Sequence, residues 1–434
     1  MAALWIVIAI VVLLSAAVPV GAVLGLLGFG IDEIFMSGRL SRAIGNIYWE
    51  KSIDFLLIAA PLFILLGEII LRAGIAQKMY RAVSQWLTWL PGGLMHANIG
   101  TCALFAATSG SSVATAATVG VAAYPEIERH QYNERLFLGS IAAGGTLGIL
   151  IPPSINFILY GVLTETSIPE LYLAGIVPGL LLAALFMLAI LVACLFRPQW
   201  GGKRIETSWR QRFAGLPDLI PPILLFLAVV GSIYAGVATP TEAAAVGVCM
   251  ALVLAAFNRT LTWTMLTEAA VSTMKTTALI MFIVFAALFL NFMFAFMGVT
   301  KAVVAYIAGL GLSPVEMILI IVVFYLILGM FMETLSMMLT TIPLIFPIVA
   351  QMGATTEFSA VWFGIVVTIL MEAGLITPPV GMNLYVAHAI RTRGGKFADV
   401  AIGALPFLVP MLALVFLLIA FPGIATWLPN LVYR

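Results

Sequence analysis

Apolar segments close to bilayer-spanning length recur along this chain from Ala2 to Leu428. A membrane-spanning helix needs about 20 such residues. The segments fall near 3–18, 19–36, 54–73, 97–124, 136–162, 171–196, 218–236, 238–257, 274–297, 314–350, 358–390 and 398–427. Only 9% of the 434 residues are charged, against about 25% in soluble domains, which excludes an ordinary soluble globule. In hydrocarbon each backbone amide must find its partner within the segment or a closed barrel. The pattern predicts an all-α polytopic protein whose surroundings are a lipid bilayer. The run from Ala3 to Leu14 has no basic residues before it and continues into further apolar sequence, so it reads as a retained span rather than a cleaved signal.

Charge excludes other partner classes. Twenty Lys and Arg against nineteen Asp and Glu leave a net charge of +1, which provides no footprint for nucleic acid. Cys102, Cys194 and Cys249 form no C-x-x-C pair, and His96, His130 and His388 are scattered. Neither a disulfide framework nor a transition-metal site is expected.

The longest charged break, 197–217 with Asp218 following, carries Arg197, Lys203, Arg204, Arg210 and Arg212. Basic loops favour the cytoplasmic side, so this linker and the loop Arg391–Lys396 are expected there together. On either side of the linker the sequence repeats weakly. Pro19 aligns with Pro240, Gly74 with Gly298, Pro152-Pro153 with Pro378-Pro379 and Gly175 with Gly403, at offsets of 221, 224, 226 and 228. Two repeats are expected, 1–196 and 218–434, joined by the linker.

Within each repeat one apolar segment has a polar interruption midway: Ser109–Ser112 in 97–124 and Met332–Ser336 in 314–350. A straight helix would leave those groups unpaired at the bilayer centre, at several kcal/mol each. A re-entrant hairpin removes that cost. Counting crossings on this basis opens the first hairpin to the cytoplasm and the second to the opposite side, so the repeats have inverted topology. Both chain termini then lie outside.

Each hairpin is followed by a segment broken by glycine and two prolines, 144–153 and 373–381. Proline removes a backbone donor and glycine permits irregular dihedrals, freeing carbonyls that suit sodium. Half-helix amino ends at such breaks attract anions. Ser111, Ser112, Thr115 and Thr146 supply hydroxyls in the first half, and Thr334, Ser336, Thr340, Thr341 and Thr377 in the second. Small residues also mark close helix packing. The spacing from serine to second proline, 42 residues for Ser111 to Pro153 and 43 for Ser336 to Pro379, favours a site. Glu333, beside the second tip at mid-membrane depth, is expected to be a ligand or gating group. Glu372 stands where it would shape the second break, Glu242 reads as a helix cap after Thr239-Pro240, and Glu68 reads as helix packing. No Lys or Arg is expected at the tips.

The strings GVATPTEAAAVG (236–247), GILIPPS (148–154) and GLITPPVGMNLYV (374–386), with Met332-Glu333-Thr334 at the second tip, resemble the large membrane subunit of tripartite ATP-independent periplasmic (TRAP) transporters over essentially the whole chain. The resemblance implies an elevator-type, sodium-coupled secondary transporter in the bacterial inner membrane, not an enzyme. It also implies a soluble periplasmic binding protein as donor of a small organic acid and a small four-helix membrane subunit as partner. Met1 stands close to the first span, so that subunit is expected as a separate chain. Carried onto this sequence, one sodium site comprises Ser111, Ser112, Gly145, Thr146, Gly148 and Pro152. The other comprises Glu333, Thr334, Ser336, Gly374, Thr377 and Pro378, and substrate between them meets Ser112, Thr115, Pro153, Thr340, Pro379 and Asn383. Two positions depart from the family pattern: it often has aspartate at the place of Glu333 and asparagine at the place of Leu370.

The hairpins, broken helices and ligand are expected to move as one body through a scaffold of leading helices. Trp-bearing stretches, Ile47–Ile53 and Gln77–Leu90, would brace that scaffold at the interface, or simply anchor spans. Two competing functions follow from the same residues. One is a stand-alone sodium-coupled anion transporter. The other is an intramembrane serine protease, against which stands the lack of a histidine at the serine's depth.

Overall fold

The computed structural model describes residues 13, 18–36, 38–203, 205–298, 302, 305, 309, 311–353, 356–392 and 394–433. The expected first span, 3–18, therefore lies almost wholly outside the described residues. Among those described, every regular element is a helix, and seven helices are long and apolar enough to cross a membrane, or eight if a pair bent by 42° counts as one span.

In chain order the first half contains α1 (Val20–Met36), α2 (Ile44–Ser52), α3 (Ala59–Arg72), α4 (Ile75–Leu87), α5 (Leu94–Ser109), α6 (Ser112–Ala123), α7 (Pro125–Arg129), α8 (Glu134–Leu150), α9 (Ile155–Thr164) and α10 (Ile168–Phe196). The linker holds α11 (Trp209–Gly215). The second half contains α12 (Ile220–Tyr234), α13 (Pro240–Phe257), α14 (Trp263–Phe296), α15 (Pro314–Gly329), α16 (Thr334–Gly353), α17 (Ala360–Leu375), α18 (Met382–Ala389), α19 (Phe397–Ala420) and α20 (Gly423–Tyr433). The order of two short helices, a broken pair and one long helix thus occurs on both sides of the linker.

Local sequence sets the breaks. Gly110, at φ +60°, stops α5, and the Ser111 hydroxyl accepts the Ala114 amide to start α6. Asn133 caps α8, Ser154 caps α9 and Ser359 caps α17. Ser313 and Glu316 close a capping box on α15, with Pro314 at the first helical position. Thr239 and Glu242 do the same for α13, as the sequence suggested.

Packing shows that each interrupted segment doubles back. The Asn98 amide on α5 donates to Ser140 on α8 at 2.8 Å, and Gly144 lies against Cys102, so α5 runs alongside α8. On α6, Ser111 meets Gly148, Ala116 meets Gly145 and Gly120 meets Ile141, so α6 runs against α8. Hence α5 and α6 are antiparallel. In the second half the Tyr325 and Thr341 hydroxyls bond at 2.7 Å while Gly329 lies beside Met337, which turns α16 back on α15.

Contacts also fix relative directions. Arg391 pairs with Glu134 at 2.8 Å and Arg135 with Asp399 at 2.8 Å, so α8 and α19 start on one face. The linker joins that face, where the Lys203 amide donates to the His130 carbonyl at 2.7 Å. Trp362, at the start of α17, donates to Leu418 near the end of α19 at 2.9 Å, placing that start on the opposite face. Helices α8 and α17, which hold the same place in their halves, therefore run in opposite directions. On the linker face the Tyr132 hydroxyl accepts the Leu94 amide at 3.0 Å, and burial pushes its phenol up to about 12, so it stays neutral there.

Several expected boundaries shift. Residues 144–150 remain helical, because α8 continues to Leu150 before Pro152 and Pro153 remove the next donors. The second interruption is Met330–Glu333, and Ser336 lies within the first turn of α16. The span expected at 398–427 ends at Ala420, where Pro422 follows, and α20 is separate. Helix α14 begins at Trp263 rather than near 274, since Thr262 caps it at Met265.

Glycines permit the tightest crossing. A Cβ on Gly139 would lie 1.9 Å from the Gly403 carbonyl oxygen, backbone against backbone. Gly139→Leu is expected to separate α8 from α19 and lower the melting temperature in detergent by several degrees, through overpacking of about 1–3 kcal/mol or more. An unchanged melting curve would show that this contact is dispensable.

Candidate functional site

The first tip closes on the first broken helix. Pro152 and Pro153 cannot donate to the Gly148 and Ile149 carbonyls, and the Ser154 hydroxyl takes over at Ile149, 2.5 Å away. Ser112 donates to the Thr146 carbonyl at 3.3 Å, and Thr115 bonds Ser109 at 2.9 Å and the Ser111 carbonyl at 2.7 Å. A Cβ on Gly148 would lie 2.5 Å from the Ser111 oxygen, and one on Gly110 2.8 Å from the Pro153 oxygen. Ser111, Ser112, Thr115, Thr146, Gly148 and Pro153 therefore converge. Gly145 serves close approach, its Cα face lying against Ala116 and Asn383. The Thr146 hydroxyl is bonded to its own helix at Ala143.

The second tip closes likewise. A Cβ on Gly374 would lie 2.6 Å from the Gly329 Cα, and the Val380 amide donates to the Met330 carbonyl at 3.2 Å. The Glu333 carboxylate accepts the amides of Leu335 and Ser336, both at 3.2 Å, and the Ser336 hydroxyl at 3.1 Å, so it caps α16. Thr377 bonds Ala373 and Thr340 bonds the Ser336 carbonyl. Both Pro152-Pro153 and Pro378-Pro379 are cis.

Both tips open into one cavity of about 450 Å³. Ser109–Ser112 and Glu333–Leu335 line it from the hairpins, Ile155 and Asn156 from α9, Gly67 and Glu68 from α3, and Thr276 and Ile280 from α14. Of the candidate residues, Ser111, Ser112, Glu333 and Thr334 border this cavity. Thr115, Pro153, Thr340, Pro379 and Asn383 are not among its lining residues, and the Asn383 amide donates to the Ala142 carbonyl at 3.0 Å. Its neighbourhood is a helix contact rather than an opening. No lysine or arginine is among the lining residues, as expected.

Two acids differ from the sequence reading or extend it, and a third follows it. Glu68, read as packing, lines the cavity while pairing with Arg72 and accepting Ser272 at 2.7 Å. Glu372 is 0% exposed and neither carboxylate oxygen has a hydrogen-bond partner. Glu242 is confined to its cap. Asn156 was missed altogether; the signal was an asparagine following each Pro-Pro pair. At the first tip Ser112 bonds the Thr146 carbonyl and Ser109 the Thr115 hydroxyl, at the second Ser336 bonds Glu333, and His96 is bonded to the Pro91 carbonyl.

Paired helical hairpins closing on broken helices and bordering one cavity, inside a bundle of apolar helices, are an architecture suited to a membrane transporter. Residues 7–424 match the family described as "Tripartite ATP-independent periplasmic transporter, DctM component". The chain belongs to that family. It is 34% identical over 410 residues to the C4-dicarboxylate TRAP transporter large permease protein DctM of Pseudomonas aeruginosa, covering 94% of this chain and 93% of that protein. It is 31% identical to the sialic acid TRAP transporter large permease protein SiaM of Vibrio cholerae, covering 87% of each. It is also 31% identical to the ectoine/5-hydroxyectoine TRAP transporter large permease protein UehC of Ruegeria pomeroyi, covering 87% of this chain and 86% of that protein. The solved Alcanivorax borkumensis YdaH transporter shares the fold at a TM-score of 0.60 and 16% identity, covering 88% of each chain.

Gly148→Ala places a methyl group against the Ser111 carbonyl and, at 2.8 Å, the Thr115 hydroxyl. The first tip is expected to lift from α8, giving a transporter that assembles normally but loses at least about tenfold in uptake rate, a cost of about 1.4 kcal/mol. Wild-type uptake by this variant would show that the tip tolerates the shift.

Proposed function

We propose that the chain carries a small organic acid, a carboxylate, into the cell across the bacterial inner membrane, driven by a sodium gradient. A periplasmic binding protein delivers the acid and a small four-helix subunit supports the chain. The observation that carries this reading is the single cavity shared by two oppositely entering tips. Its size suits a small acid, and each tip lies on a helix whose prolines deprive backbone carbonyls of their helical donors. Sodium would sit behind each tip, held on one side by Ser111, Ser112, Gly145, Thr146, Gly148 and Pro152. On the other side Glu333, Thr334, Ser336, Gly374, Thr377 and Pro378 would hold the second ion. Sodium here is cargo, moving with the substrate.

The division of polar contacts supports an elevator movement. Between α3 and α14 Glu68 pairs with Ser272 and Arg72 with Glu268, while Asn258 at the end of α13 holds Lys78 of α4 and the Ala73 carbonyl at the end of α3. Around the hairpins Asn98 pairs with Ser140, Asn383 with Ala142 and Tyr160 with Ala360. Between the two groups Gly67 faces the Ser109 carbonyl amid Ile64, Leu71 and Ile280. A contact of small and apolar residues can slide without breaking ion pairs. The basic linker and the Arg391 loop share one face, which the positive-inside tendency assigns to the cytoplasm.

Relatives of the chain are named for C4-dicarboxylate, sialic acid, ectoine and isethionate, small polar solutes of which the first three bear carboxylates and the last a sulfonate. Reconstituted with both partners, the chain is expected to accumulate substrate only under an inward sodium gradient; uptake indifferent to sodium, or requiring ATP, rules the mechanism out. Glu333→Ala and Ser112→Ala are expected to raise the sodium concentration for half-maximal uptake by about tenfold or more with assembly intact. Unchanged sodium dependence in both moves the ion sites elsewhere.

A further inference from the structure

The two halves repeat an asparagine after each Pro-Pro pair but use it differently. Asn383 is fully buried and bonded to the Ala142 carbonyl at 3.0 Å. Asn156 is only 1% exposed, borders the central cavity, and its amide nitrogen has no partner. A buried amide without a partner is costly, about 1–3 kcal/mol, and such a group beside a cavity is accounted for by a ligand that completes it.

The hairpin ends are likewise unequal. At the start of α6 the Ser111 hydroxyl takes only the Ala114 amide, so the amides of Ser112 and Val113 have no acceptor within the helix. Ser112 and Val113 both line the cavity. At the start of α16 the Glu333 carboxylate already holds the Leu335 and Ser336 amides. A second anion at that end would meet a carboxylate rather than open donors.

We propose that Asn156 and the free amino end of α6 form the subsite that binds the carboxylate of the transported acid, so that the acid enters with this group at the first tip and its remaining atoms toward Glu333 and Thr334. This rests on the transport reading above and adds the residue and the orientation. Arginine is unnecessary here, because the helix amino end supplies positive partial charge and backbone donors, and Asn156 supplies one further N–H.

Acetate is the simplest probe of a carboxylate subsite. The purified chain in nanodiscs is titrated with sodium acetate against sodium chloride at matched ionic strength, and its melting temperature is followed. The wild type is expected to show a saturable rise. Asn156→Asp keeps the size but exchanges the donor for an anionic oxygen, and is expected to weaken the acetate response at least about tenfold; Asn156→Leu should do the same. Ser140→Ala, remote from the cavity, should lower basal stability and keep the wild-type acetate response. A wild-type response in Asn156→Asp, or no acetate-specific rise in the wild type, overturns the subsite. Choline in place of sodium separates the two readings. Sodium stabilisation without an acetate response sinks the subsite alone, whereas an Asn156-dependent acetate response with no effect of sodium upholds the subsite and sinks sodium coupling.

Discussion

An unpaired peptide group in hydrocarbon costs several kcal/mol, and the central part of this protein is arranged around that cost. Two helices end in mid-protein at Gly110 and Met330, and two others end at Leu150 and Leu375, just before a Pro-Pro pair. Each kind of end would be prohibitive alone. Set together, the tip of one lies on the break of the other: Gly110 on the Pro153 carbonyl, and the Met330 carbonyl on the Val380 amide. The glycines at 148, 329 and 374 are small because these backbones touch.

That solution concentrates spare hydrogen-bonding capacity in one place. In the function proposed above, cations take the carbonyl-rich side of each tip and the anion takes the amino end of α6. The walls contributed by α3 and α14 are mainly apolar, with Glu68 neutralised by Arg72 and tied to Ser272.

Much of this was legible in the sequence because the signals were of composition and spacing. The polar interruptions at Ser109–Ser112 and Met332–Ser336, the duplicated prolines and the basic linker located both hairpins, both breaks and the common face of the linker and the Arg391 loop. Side-chain direction was not legible. Thr340, Thr377 and Asn383 have the right chemistry but turn toward their own helices or toward Ala142. Glu68 looked like a packing residue because sequence cannot show which side of α3 meets the tips. The irregular stretch at 144–153 was read too long, since glycine permits irregularity without enforcing it, and α8 stays helical until proline removes its donors.

The opposed halves also explain why likeness of sequence does not give likeness of role. Equivalent tips approach the cavity from opposite faces, so a fully symmetric pair would present two open helix ends to one small solute. Glu333 breaks that equivalence by filling one end with a carboxylate from its own chain, while Ser111 leaves the other with free amides. The asparagines follow the same division, one bonded to Ala142 and one without a partner at the cavity. A site with a single open anion-receiving end orients its ligand, and an oriented ligand gives the two directions of movement different chemical surroundings even where the surrounding helices repeat.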